Sequence, residues 1–243
     1  MNQTSSIIVV LVQPAGPLNI GSIARLCANF GIHELRLVAP CCDPLTITSK
    51  QMSVHGFSSL KRAIIYPNLI SALADCHRIV ACSGRVEQES LLVHSPAESL
   101  SWLLSNKGEG YSAIVFGRED RGLSNDELLL AGRVLRLSTS SEYTSLNLSH
   151  AVAIVLYQLV QNCQPLLSTA SNKNPATCLE LEGFIADTET LLLKVGFIYP
   201  HTSSARMKKL RVLLHRSQIR GPEVAFLRGM VRQLHWATRD LPS

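Results

Sequence analysis

The sequence lacks several patterns that identify common classes of protein. It contains no apolar run approaching the roughly 18 residues of a membrane-spanning helix, and Met1–Ser6 has no basic start of a secretory signal. It contains neither the GxGxxG of a dinucleotide-binding turn nor the GxxxxGK[ST] of a P-loop. These absences argue against a membrane protein, a Rossmann dehydrogenase and a kinase, and we expect a soluble cytoplasmic protein.

The cysteines also lack the spacing of a metal site. They form no CxxC pair and no Cys/His cluster at zinc-ligand spacing. The seven, an odd number, are scattered as Cys27, Cys41, Cys42, Cys76, Cys82, Cys163 and Cys178. We therefore predict no metal, and thiols that are reduced and mostly packed in the interior, as free cysteine usually is.

Charge divides the chain into two parts. Residues 1–164 carry 12 Lys and Arg against 12 Asp and Glu, whereas residues 165–243 carry 11 against 6. A basic surface is typical of proteins that meet phosphates, although a solvated helical face has the same composition. Between the parts, Gln164–Pro175 is rich in Ser, Asn, Thr and Pro. We predict a domain over 1–164, a linker over 165–178 and a basic helical extension over 179–243.

The apolar pattern of the first part alternates between strand and helix. Ile7–Val12 is a continuous β-branched and aliphatic run, Asn19–Phe30 has helical spacing that ends at Gly31, and Glu34–Val38 is again strand-like. The rhythm continues with helices over 68–75, 97–105, 125–130 and 145–163, and strands over 78–83, 112–116 and 133–137. This pattern predicts an α/β fold with a parallel sheet covered on both faces.

Parallel sheets bind ligands beyond the carboxyl ends of their strands, which directs attention to four segments. These are Gln13–Asn19, Ser83–Arg85, Gly117–Leu123 and Ser138–Asn147. Each polar residue in them also has a purely structural interpretation. Asn19 or Ser145 caps a helix, Gly117 ends a strand, Leu137 is core, Arg25 is a surface residue, and Glu119 pairs with neighbouring arginines.

Three of these segments together resemble a known family. Asn19-x5-Arg25 with Asn29-Phe30-Gly31, then Val115–Ser124, then Glu142–Val152, resemble in order and distance the three motifs of the SpoU/TrmH branch of SPOUT RNA methyltransferases. The form EYTSLNL is most similar to TrmJ-type tRNA (cytidine/uridine-2′-O)-methyltransferases. The extension is similar to that group at Val195–Ile198, Met207–Arg211 and Leu227–Met230.

The resemblance implies a SPOUT (α/β knot) domain with a C-terminal trefoil knot, which binds S-adenosylmethionine and acts as a homodimer. The positions that match the cofactor loops are Cys82, Ser83, Gly84, Gly117, Leu137, Ser145, Leu146 and Asn147. Glycines and small side chains suit close approach to an adenine and a methionine arm. Cys82 departs from the Gly or Thr that the resemblance leads us to expect there.

The resemblance also implies the catalytic residues, which are Asn19, Arg25, Glu119 and Asn147. The reaction is an in-line methyl transfer from a sulfonium to a ribose 2′-hydroxyl, which needs orientation and no metal. The family assigns Arg25 as the base. Because arginine stays protonated, we prefer a bidentate phosphate clamp that stabilises the developing alkoxide. Glu119 is expected to orient Arg25, within one chain or across a dimer interface.

The substrate implied by the resemblance is tRNA, at cytidine or uridine 32 of the anticodon loop. Phosphate contacts are expected from the basic residues Arg206, Lys208, Lys209, Arg211, Arg216, Arg220, Arg228 and Arg232. The alternatives are 2′-O-methylation of rRNA or of another tRNA position, and a non-catalytic knotted RNA-binding protein.

Overall fold

A computed structural model describes residues 6–32, 34–84, 93–105, 110–140, 142–162 and 175–239. Seven strands pair in parallel in the order β3-β2-β1-β6-β4-β7-β5. They are β1 (Ile7–Val12), β2 (Glu34–Val38), β3 (Ile64–Tyr66), β4 (Cys76–Cys82), β5 (Val93–His94), β6 (Tyr111–Phe116) and β7 (Arg133–Leu135). The predicted parallel α/β sheet is therefore confirmed.

The described helices comprise seven in the sheet domain and three in the C-terminal extension. The first seven are α1 (Pro17–Asn29), α2 (Ile47–Ser53), α3 (Phe57–Lys61), α4 (Leu69–Ala72), α5 (Pro96–Leu104), α6 (Asn125–Leu128) and α7 (Leu148–Gln161). A 3₁₀ turn, Val54–Gly56, joins α2 to α3. The extension contains α8 (Cys178–Lys194), α9 (Pro200–Ser217) and α10 (Gly221–Ala237).

Strand β1 shows why the sheet is covered on both faces. All six of its residues are buried. Because side chains alternate along a strand, Ile7, Val9 and Leu11 join the core under α1, α5 and α7, while Ile8, Val10 and Val12 join the core under α4 and α6. A continuous apolar run, rather than an alternating one, is the pattern of such a central strand.

The structure moves several predicted boundaries. The helix expected from Ser145 begins at Leu148, because Asn147 is its N-cap, and the strand expected to reach Leu137 ends at Leu135. Cys163, the expected end of that helix, lies outside the described residues. The helices α2 and α3 and the edge strands β3 and β5 were not predicted.

The C-terminal extension has a core of its own and is also packed on the sheet domain. Its core includes Leu181, Phe184, Met207 and Leu214. Cys178, in contrast, belongs to the core under α4 and α6. The Lys208 ammonium lies 2.9 Å from Asp126 of α6. Most of the predicted linker, 165–174, lies outside the described residues, and the domain division stays a prediction.

The cysteines follow the predicted pattern only in part. Cys27, Cys76 and Cys178 are buried, and burial raises the pKa of the Cys27 and Cys178 thiols to about 12. Cys41 is exposed, so the expectation of packing is wrong there. All six described cysteines are free. Among the described residues, no group of three or more His, Cys, Asp or Glu side chains could hold a metal ion, and no helix is long and apolar enough to cross a membrane.

Two ion pairs that each include a buried basic side chain make stability depend on pH. Arg36 is buried and binds both carboxylate oxygens of Asp75, at 2.6 and 2.9 Å, and these hydrogen bonds lower the Asp75 pKa. Burial acts to raise the Glu182 pKa, but hydrogen bonds from His215 and Arg211 lower it overall. A carboxylate with a depressed folded-state pKa contributes stability above its unfolded pKa of about 4, and this stability is lost as the pH falls further.

We therefore expect the urea midpoint of unfolding to stay level from about pH 7 to about pH 5 and to fall steeply below about pH 4. The Asp75→Asn variant should unfold more easily at neutral pH, because the buried Arg36 loses the carboxylate that pairs with it, and should lose less further stability in acid than the wild type. Equal slopes for the two proteins below pH 4 contradict the assignment.

Candidate functional site

The candidate site lies at the carboxyl ends of four neighbouring strands. The order β1-β6-β4-β7 brings together the loops that follow each of them. Strands β2 and β3 are added on one side of β1, and the later strands β6, β4, β7 and β5 lie on its other side. The strand order therefore reverses between β1 and β6. Such a switch point is where open parallel sheets form a crevice for a ligand.

A pocket opens at this edge of the sheet. Seven of the eight predicted cofactor residues line it. Phe116, Leu123 and Ala151 add apolar surface, and Arg118 to Arg121 add charge at the rim. The seven are Cys82, Ser83, Gly84, Gly117, Leu137, Ser145 and Leu146. An apolar pocket with a few converging polar groups is typical of a small-molecule site.

Asn147 is the predicted residue that does not line the pocket. Its side-chain Oδ1 accepts hydrogen bonds from the backbone N–H groups of Ser149, at 2.9 Å, and His150, at 3.4 Å. It also accepts from the Ser149 hydroxyl at 2.7 Å. Asn147 is therefore the N-cap of α7, the structural role that the sequence analysis had considered for Ser145. The capping bonds use only Oδ1, so the side-chain Nδ2 of Asn147 is the group that could donate to a ligand.

The backbone of the following loop leaves no room for a side chain at Gly117. A Cβ atom at this position would lie 2.2 Å from the carbonyl carbon of Gly122 and 2.3 Å from the Leu123 nitrogen. The Gly117–Leu123 loop folds back tightly, with Arg118 and Gly122 exchanging backbone hydrogen bonds of 3.2 and 3.0 Å. The sequence analysis explained this glycine by close approach of a cofactor. In the structure it is the backbone of Gly122 and Leu123 that approaches Gly117 closely, and this contact shapes the pocket wall.

Glu119 connects this loop to the start of α1. Its carboxylate accepts from the backbone N–H groups of Ala15, at 3.1 Å, and Gly16, at 3.0 Å, and from the Asn19 side-chain amide at 3.3 Å. Gly16 is the N-cap of α1, so the carboxylate sits at the positive end of the helix dipole. Among the described residues, Glu119 forms no salt bridge with the neighbouring arginines, and Arg118 pairs with Glu127 instead.

Arg118 forms a clamp that the sequence analysis missed. Its guanidinium makes a two-pronged ion pair with Glu127, at 2.9 and 2.8 Å, and its Nε donates to Gln13 Oε1 at 2.6 Å. Glu127 also caps the start of α6 by accepting from the Ser124 N–H. The Ser124-x-x-Glu127 spacing of a capping box was the available signal. The clamp holds the loops after β1 and β6 in one arrangement.

Arg25 lies on α1 apart from the pocket. It is exposed, and among the described residues its side chain forms neither an ion pair nor a hydrogen bond to Glu119. The expectation that Glu119 contacts Arg25 is therefore not met within one chain. The backbone there is closely packed, because a Cβ on Gly56 would lie 2.6 Å from the Arg25 Cα. The turn between α2 and α3 therefore packs directly against the backbone of α1 at Arg25.

Cys82 does not offer a reactive thiol to the pocket. It packs against the core under α1, α5 and α7, and burial raises its pKa to about 12. Only the thiol would be present at neutral pH, so Cys82 acts as a small apolar side chain. Across the pocket, the Thr139 hydroxyl donates to the Thr144 carbonyl at 3.1 Å and closes the loop that precedes α7. Of the predicted loop Ser83–Arg85, Arg85 lies outside the described residues.

Comparisons with known proteins agree with this geometry. A family profile described as "SpoU rRNA Methylase family" matches residues 6–157, and one described as "tRNA methyltransferase TrmJ, C-terminal domain" matches residues 179–242. The tRNA (cytidine/uridine-2′-O-)-methyltransferase TrmJ of Cronobacter sakazakii is 31% identical, over 96% of this chain and 98% of its own. The tRNA (cytidine/uridine/adenosine-2′-O-)-methyltransferase TrmJ of Pseudomonas aeruginosa is 31% identical over 96% of this chain and 95% of its own. The crystal structure of TrmJ from Z. mobilis superposes with a TM-score of 0.82 at 30% identity, covering 94% of this chain and 98% of the other.

Proposed function

The chain belongs to the SpoU rRNA methylase family and is a methyltransferase, and on that premise we propose that it methylates a ribose 2′-hydroxyl of tRNA. The observation that carries the proposal is the pocket formed by the loops after β4, β6 and β7, because the family motifs supply its walls. The similarity extends through the extension to relatives named for tRNA 2′-O-methylation, which favours tRNA over rRNA. We propose cytidine or uridine as the nucleotide, at position 32 of the anticodon loop, in a cytoplasmic enzyme.

The residues of the pocket fit S-adenosylmethionine. Apolar side chains such as Phe116, Leu123 and Leu137 suit an adenine, and Gly84 and Gly117 leave backbone groups accessible at the wall. Arg118, Glu119, Asp120 and Arg121 give the rim charges of both signs, and the methionine arm of S-adenosylmethionine likewise carries both an ammonium and a carboxylate. When bound, S-adenosylmethionine supplies an electrophilic methyl group on a sulfonium.

The chain itself contributes orientation and charge. The Arg118 clamp and the Glu119 carboxylate fix the loops after β1 and β6, and Glu119 holds the Asn19 amide through its Nδ2. Orientation of this kind can lower a barrier by about 7–11 kcal/mol. We propose that the protonated Arg25 binds the phosphate next to the reacting ribose and stabilises the negative charge that develops on the 2′ oxygen, while the proton passes to water or to a phosphate oxygen.

We further propose that the enzyme is a homodimer in which Arg25 acts at the pocket of the partner subunit. Arg25 and Leu18 are seven residues apart and so share the exposed face of α1. The neighbouring helix α7 buries Val152, Val155, Leu156 and Leu159 in the core but leaves Ile154 and Tyr157 39% and 58% exposed. We call the exposed residues Leu18, Arg25, Ile154 and Tyr157 of α1 and α7 the two-helix face. A second copy that covers this face would bring Arg25 close to the other chain.

The two-helix face predicts the effect of one substitution on assembly. Tyr157→Arg places a charge in the proposed interface, so we expect light scattering to give the mass of a monomer where the wild type gives a dimer. Phe226→Arg on α10 is the matched control, because Phe226 is 68% exposed and lies outside this face. A dimeric Tyr157→Arg variant, or a monomeric wild type, contradicts the proposed interface.

Mapping of 2′-O-methylation tests the substrate. RNA from a strain that lacks this protein should lose methylation at cytidine or uridine 32 of some tRNAs, and the purified enzyme should restore it with S-adenosylmethionine. Loss at a ribosomal site, with tRNA unchanged, contradicts the proposed substrate. Loss at another tRNA position contradicts the assignment to position 32 and leaves tRNA as the substrate.

A further inference from the structure

The basic residues of the sheet domain are unevenly distributed along the chain. Residues 14–33 and 44–74, which include helices α1, α2 and α3, hold four of the 12 Lys and Arg residues of 1–164 and none of its 12 Asp and Glu residues. All four side chains are exposed. We call these four the basic face, and they are Arg25, Lys50, Lys61 and Arg62. A domain that is neutral as a whole thus carries positive charge on one group of helices.

Close packing of α2 on α1 places Lys50 near Arg25. A Cβ atom on Gly21 would lie 2.4 Å from the carbonyl oxygen of Ser49, so the two backbones are in direct contact there. Lys50 follows Ser49 in the chain, and Gly21 precedes Arg25 by about one turn of α1. Lys50 and Arg25 therefore lie about one helical turn apart along α1.

The turn between α2 and α3 keeps the other two basic residues near Arg25. Val54 ends α2 with φ of 47° and ψ of −116°, a conformation that strains a β-branched residue. This turn lets both α2 and α3 contact α1, and Gly56 within it packs on Arg25. Lys61 is the last of the five residues of α3, so it lies about 8 Å along the helix from Gly56. Arg62 is the C-cap that follows it.

Neighbouring acids do not compensate the charges of the basic face. Among the residues that the structure describes, none of its four side chains forms an ion pair. The acids that border the two segments in the sequence have other partners. Glu34 and Asp75 both bind Arg36, and Asp43 accepts a hydrogen bond from the Leu45 backbone. The four positive charges are therefore available to an anionic ligand.

The C-terminal extension, which has the larger basic excess in the sequence, uses much of that charge internally. Four of its eight basic residues expected to contact phosphates form ion pairs with carboxylates. These four are Lys208, Arg211, Arg220 and Arg228. The ion pairs offset half of the charge that composition assigned to phosphate binding, whereas nothing comparable offsets the basic face.

A second copy of the chain is an unfavourable occupant of the basic face. A two-fold dimer centred on this face would set the four cations of one subunit opposite the same four of the other. Like charges that face each other across an interface repel. The phosphate backbone of a nucleic acid carries the opposite charge along its whole length. Charge complementarity therefore favours RNA as the occupant.

We propose that the basic face binds the phosphate backbone of the substrate RNA next to the nucleotide that is methylated. The inference rests on the proposed function, in which Arg25 reaches the ribose in the pocket of the partner subunit. The subunit that supplies Arg25 then holds the adjoining phosphates through Lys50, Lys61 and Arg62. Phosphate contacts position a strand and carry no sequence information, so this face aligns the RNA and does not select the base.

The test measures the affinity of the full-length protein for an unmodified transcript of a tRNA with cytidine 32, over a series of salt concentrations. Each phosphate contact contributes about 0.7–0.9 to the slope of log K against log salt. The charge-neutral variant, Lys50→Gln with Lys61→Gln and Arg62→Gln, should therefore lower that slope by about 2 to 3. At about 0.1 M salt its binding should be about 100- to 500-fold weaker than that of the wild type.

The matched control keeps every charge, with Lys50→Arg, Lys61→Arg and Arg62→Lys, and should show the slope of the wild type. Calorimetry should give both variants the same affinity for S-adenosylmethionine, which shows that the sheet domain is intact. A charge-neutral variant with the wild-type slope overturns the basic face.

Light scattering tests the other occupant. A charge-neutral variant that is monomeric where the wild type is dimeric shows that the face joins two copies, and this also overturns the proposal. Either result leaves the proposed function in place, because the wild type can still methylate tRNA. A wild-type protein that binds no tRNA overturns both.

Discussion

An Arg25→Ala variant is expected to transfer methyl groups about 100- to 1,000-fold more slowly than the wild type, with binding of S-adenosylmethionine unchanged. Arg25 is exposed on α1 and makes no contact with the pocket of its own chain, so its removal leaves the cofactor site intact. Single-turnover methyl transfer and calorimetry of the cofactor separate the two effects. A variant that loses methyl transfer and cofactor binding to the same extent shows that Arg25 supports the fold and not the reaction.

Arg25→Lys distinguishes a charge clamp from a base. Lysine keeps the positive charge, loses the two-pronged geometry and deprotonates more readily. If Arg25 only clamps a phosphate, the lysine variant should be slow and should depend on pH as the wild type does. A rate that rises steeply with pH in the lysine variant, but not in the wild type, favours proton abstraction at this position.

Mixed dimers test whether Arg25 acts on the partner subunit. In a mixture of inactive Arg25→Ala and Gly117→Ala chains, each mixed dimer combines the intact pocket of the first chain with the Arg25 of the second. Random exchange of subunits should then restore about a quarter of the wild-type sites, since half of the dimers are mixed and each has one complete site. If Arg25 acts within its own chain, no activity returns.

The second large effect is expected from Gly117→Ala. The new methyl group would lie 2.2 Å from the backbone of Gly122, so the loop must open, and both the pocket wall and Glu119 move with it. A misplacement of about 1 Å can cost about 100-fold in rate, and we expect a loss of that size together with weaker cofactor binding. Calorimetry and single-turnover kinetics on the purified variant measure both.

Gly84→Ala is the matched control, since it adds the same methyl group to the wall of the same pocket. The nearest atom to a Cβ at Gly84 is the Thr144 carbonyl oxygen at 3.6 Å, an ordinary contact. We expect its cofactor affinity and rate to stay within about tenfold of the wild type. If the two variants lose cofactor affinity and rate equally, the cause is the volume of the added methyl group and not the folding of the Gly117 loop.

The sequence was sufficient to predict the elements that carry strong periodicity. The buried strand β1 and the helix α1, ended at Gly31, appear within two residues of their predicted bounds. The edge strand β3 was missed because Ile64 and Ile65 are 44% and 58% exposed, so no alternation marks a buried face. The trefoil knot, which only the resemblance suggested, stays a prediction.

The site shows a similar division. The residues of the pocket wall were predicted because they fall in motifs. Their contacts were not, because Glu119 and Asn19 are 100 residues apart and meet only when β6 pairs with β1. The contact expected between Glu119 and Arg25 is not made within one chain, because the Glu119 carboxylate binds the start of α1 instead. A contact across a dimer interface stays a prediction.

Cys178 has a consequence for the order in which the protein folds during synthesis. It ends the predicted linker and begins α8, yet its side chain belongs to the core between the sheet and the helices α4 and α6. The ribosome makes the strands first, so one layer of the nascent sheet domain remains incomplete until the start of α8 emerges. Until then, the part of this layer that Cys178 covers is open to solvent, whereas the described residues of the core under α1, α5 and α7 all precede α8 in the chain. A pause of translation before residue 178 would therefore prolong the exposure of this apolar surface.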